Sequence, residues 1–386
     1  MKVLQVSKFY PPDHGGIEAV ARDLSAGFVR HGLDVEVLCA SKSREHVDER
    51  DALGVRVTRA GSYGMWLSTS MAPALVRELV ARRADHDIVH VHMPDPLAAL
   101  AVWTARPRGR IVLHWHSDVV RQRIARHVYG PLERWLLARA DAVIATSVPY
   151  AESSPRLCQV RPKVHVIPIG APAPHPADPK RVARLRARHP GRRIVFALGR
   201  MTYYKGWEVL IEAARALPQD VLVVVGGGGK VGLAQYRGQV QAAGLESRVF
   251  FTGPLSAEDV EAWFELAEVF CMPSTVRAEA FGVAALEAMA RGVPVVAADI
   301  PGSGLGWVVR HDRSGLKVPV RDPAALAAAL RRLLDDAGLR ARLGAGGRER
   351  WAAHFSAETM ADHTVALYRR LLDSPAPHTP DPSSTP

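Results

Sequence analysis

The chain alternates short apolar runs with segments of helical spacing, and it does so twice. KVLQVSKF, DVEVLCAS, VRVTRAG, DIVHVHMP, RIVLHWHS, AVIATS and KVHVIPIG are the runs of the first half. Each is apolar through its middle without strict alternation, as expected of strands buried on both faces of a parallel sheet. Between the first two, GIEAVARDLSAGFVRHG has helical spacing and ends on Gly32, a residue suited to stop a helix. A longer, basic amphipathic helix is predicted over 119–139. At 170–180 the chain reads GAPAPHPADPK, where prolines oppose regular structure and a crossing between domains is expected. The pattern then resumes with strand RIVFALGR, a helix from Gly206 to Leu217, strand VLVVVGGG, a helix, strand RVFFTGPL, helix SAEDVEAWFELAEV, strand FCMPS, a helix opening near Gly282, and strand VPVVAAD. Two amphipathic helices, DPAALAAALRRLLDD and SAETMADHTVALYRRLLD, precede SPAPHTPDPSSTP, whose composition predicts disorder.

This alternation predicts an α/β protein of two doubly wound parallel-sheet, Rossmann-like domains. Its 386 residues exceed the roughly 250–300 at which a single core stops growing. The expected organisation is a first domain over 1–169, a linker over 170–190, a second domain over 191–355, a helix over 356–372 and a disordered tail over 373–386. No stretch approaches the roughly twenty apolar residues of a membrane span, and the amino-terminal run is too short for a signal peptide. Cys39, Cys158 and Cys271 are far apart and form no CxxC pair, which suits a reducing compartment. A cytoplasmic protein is expected.

The formal charge of +11 adds an anionic partner to the picture without choosing among nucleic acid, lipid headgroups and phosphorylated small molecules. Residues 101–140 hold eight arginines against two acids. That segment is either a solvated helix face or a patch for anionic membrane, which would make the protein peripheral at the inner face of the cell membrane.

Candidate chemistry is sought at the carboxyl ends of the strands, where open parallel sheets bind ligands. YPPDHGGIE follows the first strand, and Gly15 and Gly16 would let backbone amides approach a ligand, or simply make a tight turn. GRMTYYKGWEVL places Arg200 at a strand end and Lys205 just ahead of a helix. Two cations and a helix dipole converging there make a diphosphate clamp, against the alternative of two solvated cations. VVVGGGGK does not match GxGxxG, since Val231 stands in the third glycine's place, which disfavours a nicotinamide enzyme. Asp85 and Asp87 precede their strand and are expected to be loop acids. His90 with His92, and His114 with His116, form two HxH pairs. They are read as buried, hydrogen-bonded histidines, as metal ligands, or, for His116 at the strand end, as a functional imidazole. Ser117 and Asp118 follow His116, but no GxSxG elbow frames the serine.

The densest signal is STVRAEAFGVAALEAMARGVPVVAAD, with Glu279 on a loop and Glu287 inside the helix that follows. The free amides of Gly282, Val283 and Ala284 can face phosphate oxygens. Carboxylates beside them make sense as acceptors for vicinal hydroxyls on either side of a diphosphate, one set from a sugar and one from a ribose. The ligand so described is a nucleotide sugar; the alternative is an ordinary acid ahead of a helix and a solvated one within it.

EAFGVAALEAMARGVPVVAAD closely resembles the signature of the retaining family-four glycosyltransferases (glycosyltransferase group 1) of GT-B fold. Glu279, Phe281, Gly282, Glu287, Ala288, Gly292 and Pro294 match. GRMTYYKG is similar to that family's arginine and lysine pair, and YPPDHGGIE to its glycine loop. The resemblance implies two Rossmann-like domains facing across a cleft, with the helix over 356–372 crossing back to the first. It implies that Arg200 and Lys205 neutralise the leaving diphosphate, that Glu287 holds the donor ribose, and that Glu279 contacts the transferred sugar. His116 would sit over the reacting sugar and Gly16 near phosphate or acceptor. HMPDPLAAL and LHWHSDVVRQ look most like bacterial mannosyl- and rhamnosyltransferases of polysaccharide (lipopolysaccharide) synthesis, using GDP-mannose or a related GDP-sugar and a saccharide or lipid-linked acceptor. The chain departs from many members at PGSGLGWVVRHDRSG, where they carry a glycine pair and a glutamate. The resemblance implies hexosyl transfer with no cofactor, no metal and no nucleic-acid partner. The competing readings are a non-hydrolysing nucleotide-sugar epimerase of the same fold and a metal-dependent hydrolase.

Overall fold

A computed structural model describes residues 1–13, 15–66, 69–118 and 123–374, except the side chains of 123–128, 230 and 231. The first sheet is built from β1 Lys2–Ser7, β2 Asp34–Ala40, β3 Val47–Arg50 and β4 Arg56–Ala60, and, after a small hairpin of β5 Met65–Trp66 and β6 Thr69–Ser70, from β7 Ile88–Met93, β8 Arg110–Trp115, β9 Ala142–Ala145 and β10 Val164–Val166. Its order is β10-β9-β8-β7-β1-β2-β4-β3. The pairs β1–β2, β1–β7 and β2–β4 are parallel. The seven expected strands are present. β3, antiparallel to β4, was not expected, because VDER has no apolar run to announce an edge strand that faces solvent.

The second sheet consists of β11 Arg193–Leu198, β12 Val221–Gly226, β13 Val249–Gly253, β14 Ala267–Met272, β15 Val295–Ala298 and β16 Gly315–Val318, ordered β13-β12-β11-β14-β15-β16. Every one of its pairings is parallel. The strand order reverses direction between β11 and β14, the point at which such sheets open a ligand crevice beyond their carboxyl ends. One face is sealed by Phe196, Trp263, Phe264 and Phe270, all buried, with Phe196 edge-on to Phe264 at 5.0 Å. The other packs Trp207, Leu210, Val223, Val269 and Leu330 into a continuous core.

The departures from expectation have local causes. The helix Pro179–Arg188 occupies the latter part of the expected linker 170–190, because proline at the first helical position lacks only an amide that would have no partner, and Asp178 caps the turn through Lys180 N–H. The helix Ala337–His354 hides behind glycines that read as breakers. Gly344 and Gly346 lie where a Cβ would meet the backbone carbonyls of Gly292 and Arg313 at 2.1 Å, so the helix packs against backbone. Of the predicted basic helix, Arg123–Arg139 is helical. Its start at 119–122, the side chains of Arg123 and Arg126, and the expected tail beyond residue 374 lie outside the described residues.

The chain divides into two compact units. Among the described residues, one comprises 1–13, 15–66, 69–114, 123–144 and 361–374; the other comprises 115–118 and 145–360. Among the described residues, no helix is long and apolar enough to cross a membrane.

Candidate active site

In the second unit, the loops after β11 and β14 meet at the switch point. Thr275 N–H donates to the Tyr204 carbonyl at 2.8 Å, and Gly206, with φ of 69°, lies where a Cβ would meet the Pro273 carbonyl at 2.1 Å. Only glycine allows that backbone conformation and that approach together. The contact brings Lys205 and Glu279 into one pair, with Nζ 2.7 Å from Oε2 and both residues buried. Ser274 Oγ donates to the same carboxylate oxygen at 3.0 Å, a partner the sequence reading missed. Gly227, from the run that imitates a dinucleotide fingerprint, serves the same packing: a Cβ there would lie 1.8 Å from the Gly199 carbonyl.

Gly282 is the N-cap of the helix Val283–Ala290, at φ 92°, so Val283 and Ala284 occupy its first turn, where amides lack intrahelical acceptors. Glu287 is half-buried farther along that helix. Arg200 is exposed, and its Nη2 donates to Tyr204 Oη at 3.2 Å. The site therefore has an inner, charge-paired cation and an outer, accessible one, rather than two equivalent cations. The departing loop is anchored here too: Ser303 Oγ donates to the Glu279 carbonyl, and Gly304 N–H to that of Ala280 at 2.7 Å.

His116 is buried and belongs to the same unit through the segment beginning at Trp115. Asp118, two residues on, accepts from Trp115 Nε1 at 2.9 Å and Ser154 Oγ at 2.8 Å through one oxygen. Gly16 lies in the other unit, as the first residue of the helix Gly16–Arg30, with nothing within 4 Å of where a Cβ would stand. Asp87, expected as a loop acid, accepts from Lys2 N–H at 2.8 Å.

The remaining histidines form a separate, buried group in the first unit. His90, His92 and His114 bring ligand atoms within 4.8 Å of one another. Hydrogen bonds engage them: Tyr368 Oη is 2.6 Å from His90 Nδ1, His90 Nε2 is 3.3 Å from His114 Nδ1, and His92 Nε2 is 2.9 Å from Gln5 Oε1. Gln5 Nε2 donates to Ala21 O and Ser25 Oγ, which makes its Oε1 the acceptor and His92 Nε2 the donor. Burial pushes the His114 imidazole down to about 3; burial and then its two histidine neighbours hold His92 well below its ordinary value. His90 is engaged through both nitrogens, which favours the reading of satisfied core histidines.

Two family models match the chain: Glycosyltransferase Family 4 over residues 14–173 and Glycosyl transferases group 1 over residues 183–350. O-antigen chain mannosyltransferase C of Escherichia coli is 34% identical over 382 residues, covering 97% of this chain and 100% of its own. D-rhamnosyltransferase WbpZ of Pseudomonas aeruginosa is 32% identical over 376 residues, with 96% and 92% covered. Among solved structures, sucrose-phosphate synthase from Thermosynechococcus elongatus is similar with a TM-score of 0.80 at 26% identity, over 96% of this chain and 99% of that one. Anabaena HepE in complex with UDP and glucose has a TM-score of 0.77 at 20% identity, over 96% and 100%, a likeness of fold.

Proposed function

The chain belongs to the family 4, group 1 glycosyltransferases and has the GT-B fold, and from that premise we propose that it moves a mannosyl or rhamnosyl group, with retention, from a GDP-linked sugar to a saccharide or lipid-linked glycan. The observation that carries the site assignment is the buried Lys205–Glu279 pair at 2.7 Å, three residues ahead of the Gly282 cap. The sugar class is supported by the names of the E. coli and P. aeruginosa relatives.

In this reading the chemical task is to stabilise a leaving group. As the anomeric bond stretches, negative charge collects on the diphosphate, which in this reading is met by Arg200, Lys205 and the amides of Gly282, Val283 and Ala284. Lys205 is held by Glu279 before the donor arrives, so little reorganisation is needed when a phosphate oxygen joins it. Glu279 accepts from a hydroxyl of the transferred sugar, Glu287 from the ribose, and His116 lies over the reacting ring, with Gly16 towards phosphate or acceptor. Cations and amides supply the stabilisation, so the reaction runs without a metal. The acceptor attacks on the face the diphosphate leaves, which retains configuration.

The test is a panel of GDP-, UDP-, TDP- and ADP-sugars scored by thermal shift, followed by transfer to a saccharide acceptor with the anomeric configuration of the product read by NMR. Stabilisation by GDP-mannose or GDP-rhamnose and a retained linkage are expected. An isomerised donor formed without acceptor would instead identify an epimerase, and activity abolished by a chelator would overturn metal independence.

A further inference from the structure

We propose that Arg277 is a positioning residue for this reaction, clamping the chain that carries His116 to the loop that carries Glu279; the inference rests on the function proposed above. Arg277 precedes Glu279 by two residues and Asp118 follows His116 by two, and the two side chains meet, with Nη2 3.3 Å from Oδ2. Arg277 Nη1 also donates to the Ser153 carbonyl at 3.2 Å, and its guanidinium stacks over the Tyr150 ring at 4.6 Å. Tyr150 completes the circuit, because its hydroxyl accepts from the Asp118 backbone N–H at 2.6 Å. Every residue named belongs to the second compact unit.

The surroundings turn this into a rigid frame. Trp115, Tyr150 and Ser154 are fully buried, and Trp115 and Ser154 already fill one oxygen of Asp118, leaving the other to face the guanidinium. Ser153 Oγ extends the frame to the Gly302 carbonyl at 3.0 Å, on the loop that departs from the family pattern. Asp118 is thus fixed on one side by neutral donors and on the other by one planar cation, which ties the segment of His116 to the loop of Glu279. A lysine would keep the charge but could not pair, donate to a carbonyl and stack in one plane.

Arg277→Gln, Arg277→Lys, Asp118→Asn and the double variant would be compared with the unaltered enzyme in transfer kinetics, GDP affinity by calorimetry and hydrogen exchange. The expected result for Arg277→Gln is a kcat about tenfold to hundredfold lower, GDP affinity within about twofold of the parent, and faster exchange over 115–118 with none gained in β12. Arg277→Lys should recover part of kcat, and the double variant should lose little more than the worse single one. An unchanged kcat, a matching loss of GDP affinity, or unaltered exchange over 115–118 would each overturn the clamp. If the unaltered enzyme transfers no sugar from any donor, the proposed function fails instead, and the exchange measurement still decides whether Arg277 holds this segment.

Discussion

Lys205 and Glu279 are each about nine-tenths buried, so neither can lose the other cheaply. Lys205→Met leaves a buried carboxylate that keeps its hydrogen bond from Ser274 but loses its cation, and a cost of about 3 kcal/mol is expected, measured as a shift in urea unfolding. Glu279→Gln keeps the shape and the serine contact but frees the ammonium. If Glu279 contacts the reacting sugar as proposed, GDP binding should persist while transfer falls about a hundredfold; equal losses in both would argue against the proposed role. Arg200 and Lys205 could be chosen from the sequence because each adjoins a glycine, and Glu279 and Glu287 because they stand ahead of and inside the helix that opens at Gly282. Ser274 and Arg277 could not, because an ordinary serine or arginine reveals its partner only when distant loops meet.

The helix Val283–Ala290 opens on Gly282 at φ 92°, and a Cβ there would come within 2.6 Å of Leu305 Cδ1. Gly282→Ala should therefore cost about 1–3 kcal/mol and weaken GDP binding in calorimetry by moving the first-turn amides. Strands β7 and β8 make a different prediction. His92 and His114 are neutral when folded and held well below their ordinary values by burial, whereas in the unfolded chain they titrate near ~6.5. Above that pH both states bind the same protons. Below it the unfolded chain gains protons the folded one refuses, so stability falls as pH drops, by about 2 kcal/mol per imidazole at pH 5. For His114 the fall continues to about 3. Urea midpoints at pH 7 and pH 5 test this, and His114→Gln should flatten the difference. HxH spacing announced a shared face, but the pairing of His90 with Tyr368 joins residues 278 positions apart, beyond any local pattern.

Across the whole chain the excess of +11 predicts attraction to anionic surfaces that weakens with salt, since screening at physiological ionic strength acts over about 8 Å. We propose that the basic segment 106–139 provides a peripheral contact with anionic membrane. Replacing Arg121, Arg123 and Arg126 by glutamine should reduce cosedimentation with anionic vesicles, and unchanged binding would remove the segment from that role. The proposed division into domains at 1–169 and 191–355 is testable by limited proteolysis, with first cuts expected in the proline-rich span near 170–178.

What the sequence by itself determined is the part governed by neighbours along the chain: apolar runs that bury both faces of parallel strands, glycines that stop or open helices, and acids and cations at strand ends. Those are short-range constraints, and they sufficed for two doubly wound sheets and the signature loop. The glycine-rich helix Ala337–His354 and the edge strand β3 escaped because packing against backbone and pairing to β4 overrode their local composition. Only the tertiary structure decided which charges meet. It paired Lys205 with Glu279 rather than leaving it free beside Arg200, and set Arg277 against Asp118. Such contacts depend on the approach of loops from separate strands, and that approach is fixed by sheet order and core packing, which no stretch of residues specifies alone.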